Sequence, residues 1–153
     1  MDELYREVIL DHHRSPRGSQ ALPECDAESS GKNPSCGDEV QLQLKYDGET
    51  ITAAAVVTQG CAIATASGSI LADLIVGRTA ADVRHLANAF RDVMHSDDGE
   101  LADDLDPGDL EVLTGVRNFP VRVKCALLPW ITLLEAVAAG EQGRTANNTS
   151  TEA

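Results

Sequence analysis

Leu4, Tyr5, Val8, Ile9 and His12 recur at helical spacing between Asp2 and about His13, which predicts an amphipathic helix. Ser15-Pro16-Arg17-Gly18 ends it. From Ser19 to Lys32 the chain is polar and aperiodic, with Pro23, Gly31 and paired serines, and a loop or a short extended stretch is expected. Val40, Leu42, Leu44 and Tyr46 then alternate with Gln41, Gln43 and Lys45, the period of a half-buried strand. Asp47-Gly48 is a hairpin signal, and the β-branched run from Thr50 to Thr58 reads as the antiparallel return. That strand stops at Gly60.

The small and aliphatic residues from Ala62 to Val76 predict a largely buried helix, with Gly77 as its stop. Thr79 is a candidate cap for a helix reaching about His95, with Val83, Leu86, Ala87 and Phe90 on its apolar face. Ser96 to Asp104 is an acidic loop. Asp106-Pro107 fits an N-cap followed by proline at the first helical position, leading into a short helix through Leu110 and Leu113 that Gly115 ends. Pro120 can open a last long helix carrying Val123, Leu127, Ile131 and Leu134 inward, and Pro129 should kink or divide it. The expected organisation is one α+β domain over residues 1–140, a small, mainly antiparallel three-stranded sheet packed with helices, and a disordered tail over 141–153.

A chain of 153 residues can bury a sizeable core as one domain. Its formal charge of −13 argues against nucleic acid or an anionic membrane as partner, because phosphate contacts need a basic face. Met1-Asp2-Glu3 lacks a basic leader, and no unbroken apolar run is long enough to span a bilayer, so a cytoplasmic protein is expected. Four cysteines in a reducing compartment point to metal binding or catalysis rather than to disulfides.

Candidate chemistry centres on Asn33-Pro34-Ser35-Cys36-Gly37-Asp38, which sets a thiol and a carboxylate two residues apart on a tight loop. Cys61 and Cys125 each stand alone at the start of an expected helix. With Cys36 and Asp38 they form a possible four-ligand set for Zn²⁺, although no Cys-x-x-Cys pair is present and buried core cysteines remain the competing reading. Three thiolates and a carboxylate around Zn²⁺ leave about −2 of formal charge. Arg122 and Lys124, flanking Cys125, are candidate catalytic residues that could offset it. Such a site reserves no position for water and is a poor Lewis acid, so it suits a sulfur nucleophile better than hydrolysis. His12-His13-Arg14 could supply ligands or a docking surface, but basic residues closing a helix are the simpler account. Cys25, between Glu24 and Asp26, reads as an incidental loop cysteine.

The chain resembles the SufU branch of the IscU-like iron–sulfur assembly family along nearly its whole length, apart from the tail. The resemblance rests on Leu4-Tyr5-Arg6 to Pro16-Arg17, Asn33 to Asp38, Gly60-Cys61-Ala62-Ile63, and Arg122-Val123-Lys124-Cys125-Ala126, in that order. IscU-type scaffolds carry a histidine before the last cysteine, where this chain has Lys124, and the stretch from Arg91 to Asp109 looks like the insertion of the SufU branch. The resemblance implies a zinc site of Cys36, Asp38, Cys61 and Cys125 and a zinc-dependent sulfurtransferase that takes persulfide sulfur from a SufS-type cysteine desulfurase. It also implies that a desulfurase histidine displaces Cys36 from zinc, and that Cys36 accepts the sulfur and passes it to a downstream iron–sulfur assembly complex. Two alternatives stand beside it. One is a scaffold holding an iron–sulfur cluster on the same ligands; the other is an interaction module with purely structural zinc.

Overall fold

The computed structural model describes residues 3–34, 37–141 and 148–150. Helix α1 (Glu3–Arg14) buries Tyr5, Ile9 and His12 along one face. Three antiparallel strands follow: β1 (Ala27–Asn33), β2 (Asp38–Asp47) and β3 (Thr50–Gln59). A short strand, β4 (Asn148–Ser150), lies parallel to β1, so the sheet order is β3-β2-β1-β4. The expected three-stranded antiparallel sheet is present, and β4 adds one edge to it. Of the stretch expected as a disordered tail, Glu141 belongs to the last helix, 148–150 form β4, and the remaining residues lie outside those described.

In β2 the alternation places Val40, Leu42 and Leu44 in the core and Glu39 and Gln41 in solvent. Gly48, at φ +65°, makes the hairpin turn to β3. Strand β1 is the element that hydrophobic periodicity misses. Its inward positions are Ala27, Ser29, Gly31 and Asn33, small or polar residues that give no apolar alternation. The last helix, α5 (Pro120–Glu141), packs across β1 and β2, and small side chains let the two backbones approach; a Cβ on Gly140 would already touch that of Ala27 at 3.3 Å.

Helix α2 (Ala62–Ile75) starts at Cys61 and ends before Gly77, whose φ is +93°. It is apolar on most of its surface and packs between α1, β3 and α5. Helix α3 (Ala80–Met94) is capped by Thr79, whose hydroxyl accepts from the Asp82 amide at 3.1 Å. It brings Phe90 to Trp130 on α5, with ring centroids 5.6 Å apart.

Two expectations fail between α3 and α5. Asp106 is not an N-cap: it takes a left-handed conformation at φ +51° after a 3₁₀ turn over 103–105, and the next helix, α4 (Leu110–Leu113), begins past Pro107. Arg78 braces this arrangement, donating to the carbonyls of Leu74 and Leu105 at 2.8 Å and of Asp106 at 2.5 Å. Gly115 does not stop the segment either. It lies within a second 3₁₀ turn over 114–118, where a Cβ would meet the Tyr5 ring at 3.0 Å.

The buried face of α5 also differs from the expected one. Of the expected inward residues Leu127 is buried, whereas Val123, Ile131 and Leu134 are half-buried; Cys125, Ala126, Leu128, Trp130, Leu133, Ala136 and Val137 are fully buried. A helix apolar on nearly all sides has no periodicity to select a face, and here the sheet, α2 and α3 cover it from several directions. Its length and a mean hydropathy of 1.5 would let α5 cross a bilayer, but 61% of that apolar window is buried inside the fold. Nor does Pro129 divide it: the helix runs unbroken from 120 to 141. Proline offers no N–H to the Cys125 carbonyl. Beside that carbonyl, the Ser67 hydroxyl of α2 donates to the Ala126 carbonyl at 2.6 Å, and within α5 Thr132 donates to that of Leu128 at 2.8 Å, so side-chain donors act next to the missing backbone bond.

Candidate metal centre

The centre lies where three chain segments meet at one end of the sheet. Asn33 ends β1 and pairs in register with Asp38, the first residue of β2, so residues 34–37 form the connecting loop. The Gly37 amide donates to the Asn33 carbonyl at 2.8 Å, and Gly37 has φ +74°, the conformation that closes this loop and favours glycine. Ser35 and Cys36 fall outside the described residues. Asp38 points inward from the loop and is 1% exposed.

Cys61 is the N-cap of α2, with its thiol accepting from the Ala64 amide at 3.4 Å. Its own amide donates to Oδ1 of Asp38 at 2.9 Å, and its Sγ stands 3.9 Å from Oδ2. Gly60 makes room for that carboxylate, since a Cβ at this position would collide with Asp38. Cys125 projects from the second turn of α5 and is fully buried; the Asn33 side-chain amide reaches its Sγ at 4.0 Å. One ligand atom each from Asp38, Cys61 and Cys125 lies within 4.8 Å of the other two.

Electrostatics at the three donors differ. Cys61 sits at the N-terminus of α2, where its sulfur accepts from the Ala64 amide. Burial pushes the Cys125 thiol well up from its usual range, and hydrogen bonding and charge from Asp38 and Cys61 act in the same direction. Two thiols and a carboxylate held this way suit a divalent cation, which would replace the thiol protons. For tetrahedral zinc, a thiolate sulfur at about 2.3 Å and a carboxylate oxygen at about 2.0 Å stand about 3.5 Å apart, a few tenths of an ångström less than the 3.9 Å observed between Cys61 Sγ and Asp38 Oδ2. The donor set therefore fits Zn²⁺.

The other sequence candidates are placed differently. Arg122 and Lys124 are exposed on the first turn of α5, and Arg122 lines a cleft that also contains Cys61. Cys25 lies away from the centre beside Glu28, whose Oε2 is 3.8 Å from its Sγ. His12 is buried, in keeping with its place among the apolar positions of the first helix, and it is not part of the metal cluster: it is 1% exposed and bridges Ser69 and Asp109. Two residues at the centre escaped the sequence reading, Asn33 and Gly60. The buried Asn33 Oδ1 has no hydrogen-bond partner among the described residues. A glycine directly before a capping cysteine was the available signal for Gly60; nothing in the sequence marks Asn33 beyond its place beside the loop.

Residues 4–126 match the NifU-like N-terminal domain family. The chain is 38% identical to the zinc-dependent sulfurtransferase SufU of Bacillus subtilis, over 94% of this chain and 95% of that protein. It is 34% identical to the iron–sulfur cluster assembly scaffold protein IscU of Streptococcus pyogenes, over 90% of this chain and 84% of that one. Among solved structures, a putative iron–sulfur cluster assembly scaffold protein for the SUF system from Fervidobacterium islandicum superposes with a TM-score of 0.79 at 32% identity, covering 86% of this chain and 94% of the other.

Proposed function

Because the chain belongs to the NifU-like N-terminal domain family, we propose that it is a zinc-dependent sulfurtransferase of iron–sulfur cluster assembly, accepting persulfide sulfur on Cys36 from a SufS-type cysteine desulfurase. The observation that carries this reading is the convergence of Asp38, Cys61 and Cys125 at the loop that contains Cys36. These four residues would hold Zn²⁺, which when bound keeps thiol ligands ionised near neutral pH.

The protein's own groups do the rest. Gly60 and the Cys61 amide aim the Asp38 carboxylate, and the N-cap position on α2 fixes the Cys61 sulfur beside it. Cys36, in sequence on the four-residue connection between β1 and β2, is the thiolate offered to the donor. It attacks the outer sulfur of the donor persulfide. A new S–S bond forms on Cys36 as the donor's S–S bond breaks, the donor cysteine leaves as a thiolate, and any proton on the outer sulfur travels with it. Exposed Arg122 and Lys124 supply positive charge beside this anionic exchange.

A scaffold holding an iron–sulfur cluster on the same residues is the second reading, favoured by the scaffold relatives and by the affinity of thiolates for such clusters. Lys124, where IscU-type scaffolds carry histidine, supports the first. Metal analysis of the purified protein, combined with desulfurase turnover with and without it, tests the choice. Bound zinc and a stimulation that disappears in a folded Cys36→Ala variant are expected. Iron with labile sulfide, or an indifferent desulfurase, would overturn it in favour of the scaffold.

A further inference from the structure

Beside Cys61 the surface opens into a cleft of about 350 Å³ between α1, the start of α2 and the approach to α5. Its floor is apolar, formed in part by Ile9, Ile63 and Phe119, and Phe119 leaves 44% of its surface exposed. Its rim carries two guanidinium groups, Arg6 and Arg122. The charge here runs against the rest of the molecule: the chain has 25 acidic and 12 basic residues, yet two arginines and no carboxylate line this cleft. Among the described residues neither arginine forms an ion pair, whereas Arg17, Lys32, Lys45 and Arg84 all do.

We propose that this cleft docks a segment of the sulfur donor that inserts an apolar side chain and sets a neighbouring carboxylate against Arg6 and Arg122. The occupant rests on the sulfur-transfer reading above. A donor that reaches the metal centre must cover the surface around Cys61, and the cleft is continuous with that surface. An apolar floor supplies burial, while the paired guanidinium groups select an acidic neighbour and, on a chain of net charge −13, orient the approach locally. A basic segment would meet like charge at the rim and be rejected.

The test is calorimetric titration of the zinc-loaded full chain with a SufS-type desulfurase, using Arg6→Glu and Phe119→Ser, with Lys45→Glu as a control of equal charge change on the sheet. Zinc content and melting temperature are measured for each, and Arg6→Gln repeats the experiment with a milder change. Binding is expected to weaken about tenfold or more for Arg6→Glu and Phe119→Ser, to weaken less for Arg6→Gln, and to change less than about twofold for Lys45→Glu. Equal weakening by Arg6→Glu and Lys45→Glu, or none by either, overturns the docking site while leaving sulfur transfer intact. If the wild-type chain does not bind the desulfurase, the sulfur-transfer reading falls and takes this occupant with it. A dimer of the isolated chain that Arg6→Glu splits would assign the cleft to a second copy instead, and would also overturn the proposal.

Discussion

The backbone amide of Cys61 donates to Oδ1 of Asp38 at 2.9 Å, and Gly60 leaves the space that this carboxylate occupies. The contact locks the end of β3 and the start of α2 onto the start of β2. Gly60→Ala would drive a methyl group into the carboxylate, and either Asp38 or the strand end must move. Zinc retention should fall sharply, with a stability loss of about 1–3 kcal/mol. Zinc stoichiometry after dialysis and urea denaturation of the metal-free form measure the two effects separately. Full zinc retention would show that Asp38 can relocate without consequence.

His12 ties three elements together. Its Nε2 lies 2.8 Å from Oδ2 of Asp109 and its Nδ1 lies 2.7 Å from the Ser69 hydroxyl, with an Arg17 guanidinium nitrogen 3.2 Å from the same Nδ1. That arrangement suits an imidazole that donates from Nε2 and accepts at Nδ1. His12→Ala leaves the buried Ser69 hydroxyl short of a partner and opens a cavity at the α1–α2 contact, for a loss of about 1–3 kcal/mol in urea unfolding. Zinc content should not change, because His12 takes no part in the metal centre.

Ser67 supports α5 next to Pro129. Ser67→Ala removes the bond to the Ala126 carbonyl and should cost about 0.5–1.5 kcal/mol, because that carbonyl keeps its place in the helical ladder. The adjacent Cys125 is a candidate ligand, so the variant should also release zinc faster to a chelator. Unchanged release kinetics with lowered stability would confine Ser67 to a folding role.

Cys25 should be a slow thiol. Burial, the Glu28 carboxylate and Asp26 all raise its pKa, so less thiolate is present at any given pH than on an ordinary cysteine. Its alkylation, followed by mass spectrometry on the zinc-loaded protein, should lag behind free cysteine at pH 8 and gain rate only as the pH climbs beyond the usual thiol range. A rate equal to that of free cysteine would contradict this.

Residues acting on near neighbours in sequence were the legible part of this fold. The alternation of Val40, Leu42 and Leu44 identifies β2, Thr79 marks the start of α3, Gly77 the end of α2, and Pro120 the start of α5. Each signal works within one turn or one strand period, so a local reading finds it. Strand β1 stayed hidden because its inward residues are small and polar, and only the close approach of α5 makes them core residues.

The sequence by itself determined the chemistry of the candidate centre, since thiols and a carboxylate are properties of Asp38, Cys61 and Cys125 wherever the chain puts them, and it marked the loop, the cap and the helix that carry them. Tertiary structure decided that these three come within 4.8 Å of one another, which face of α5 is buried, and that the partners of His12 are Ser69 and Asp109. The physical reason is range. Periodicity, capping and turn chemistry are set over a few residues, whereas the burial and partners of a polar side chain depend on which distant segment packs against it.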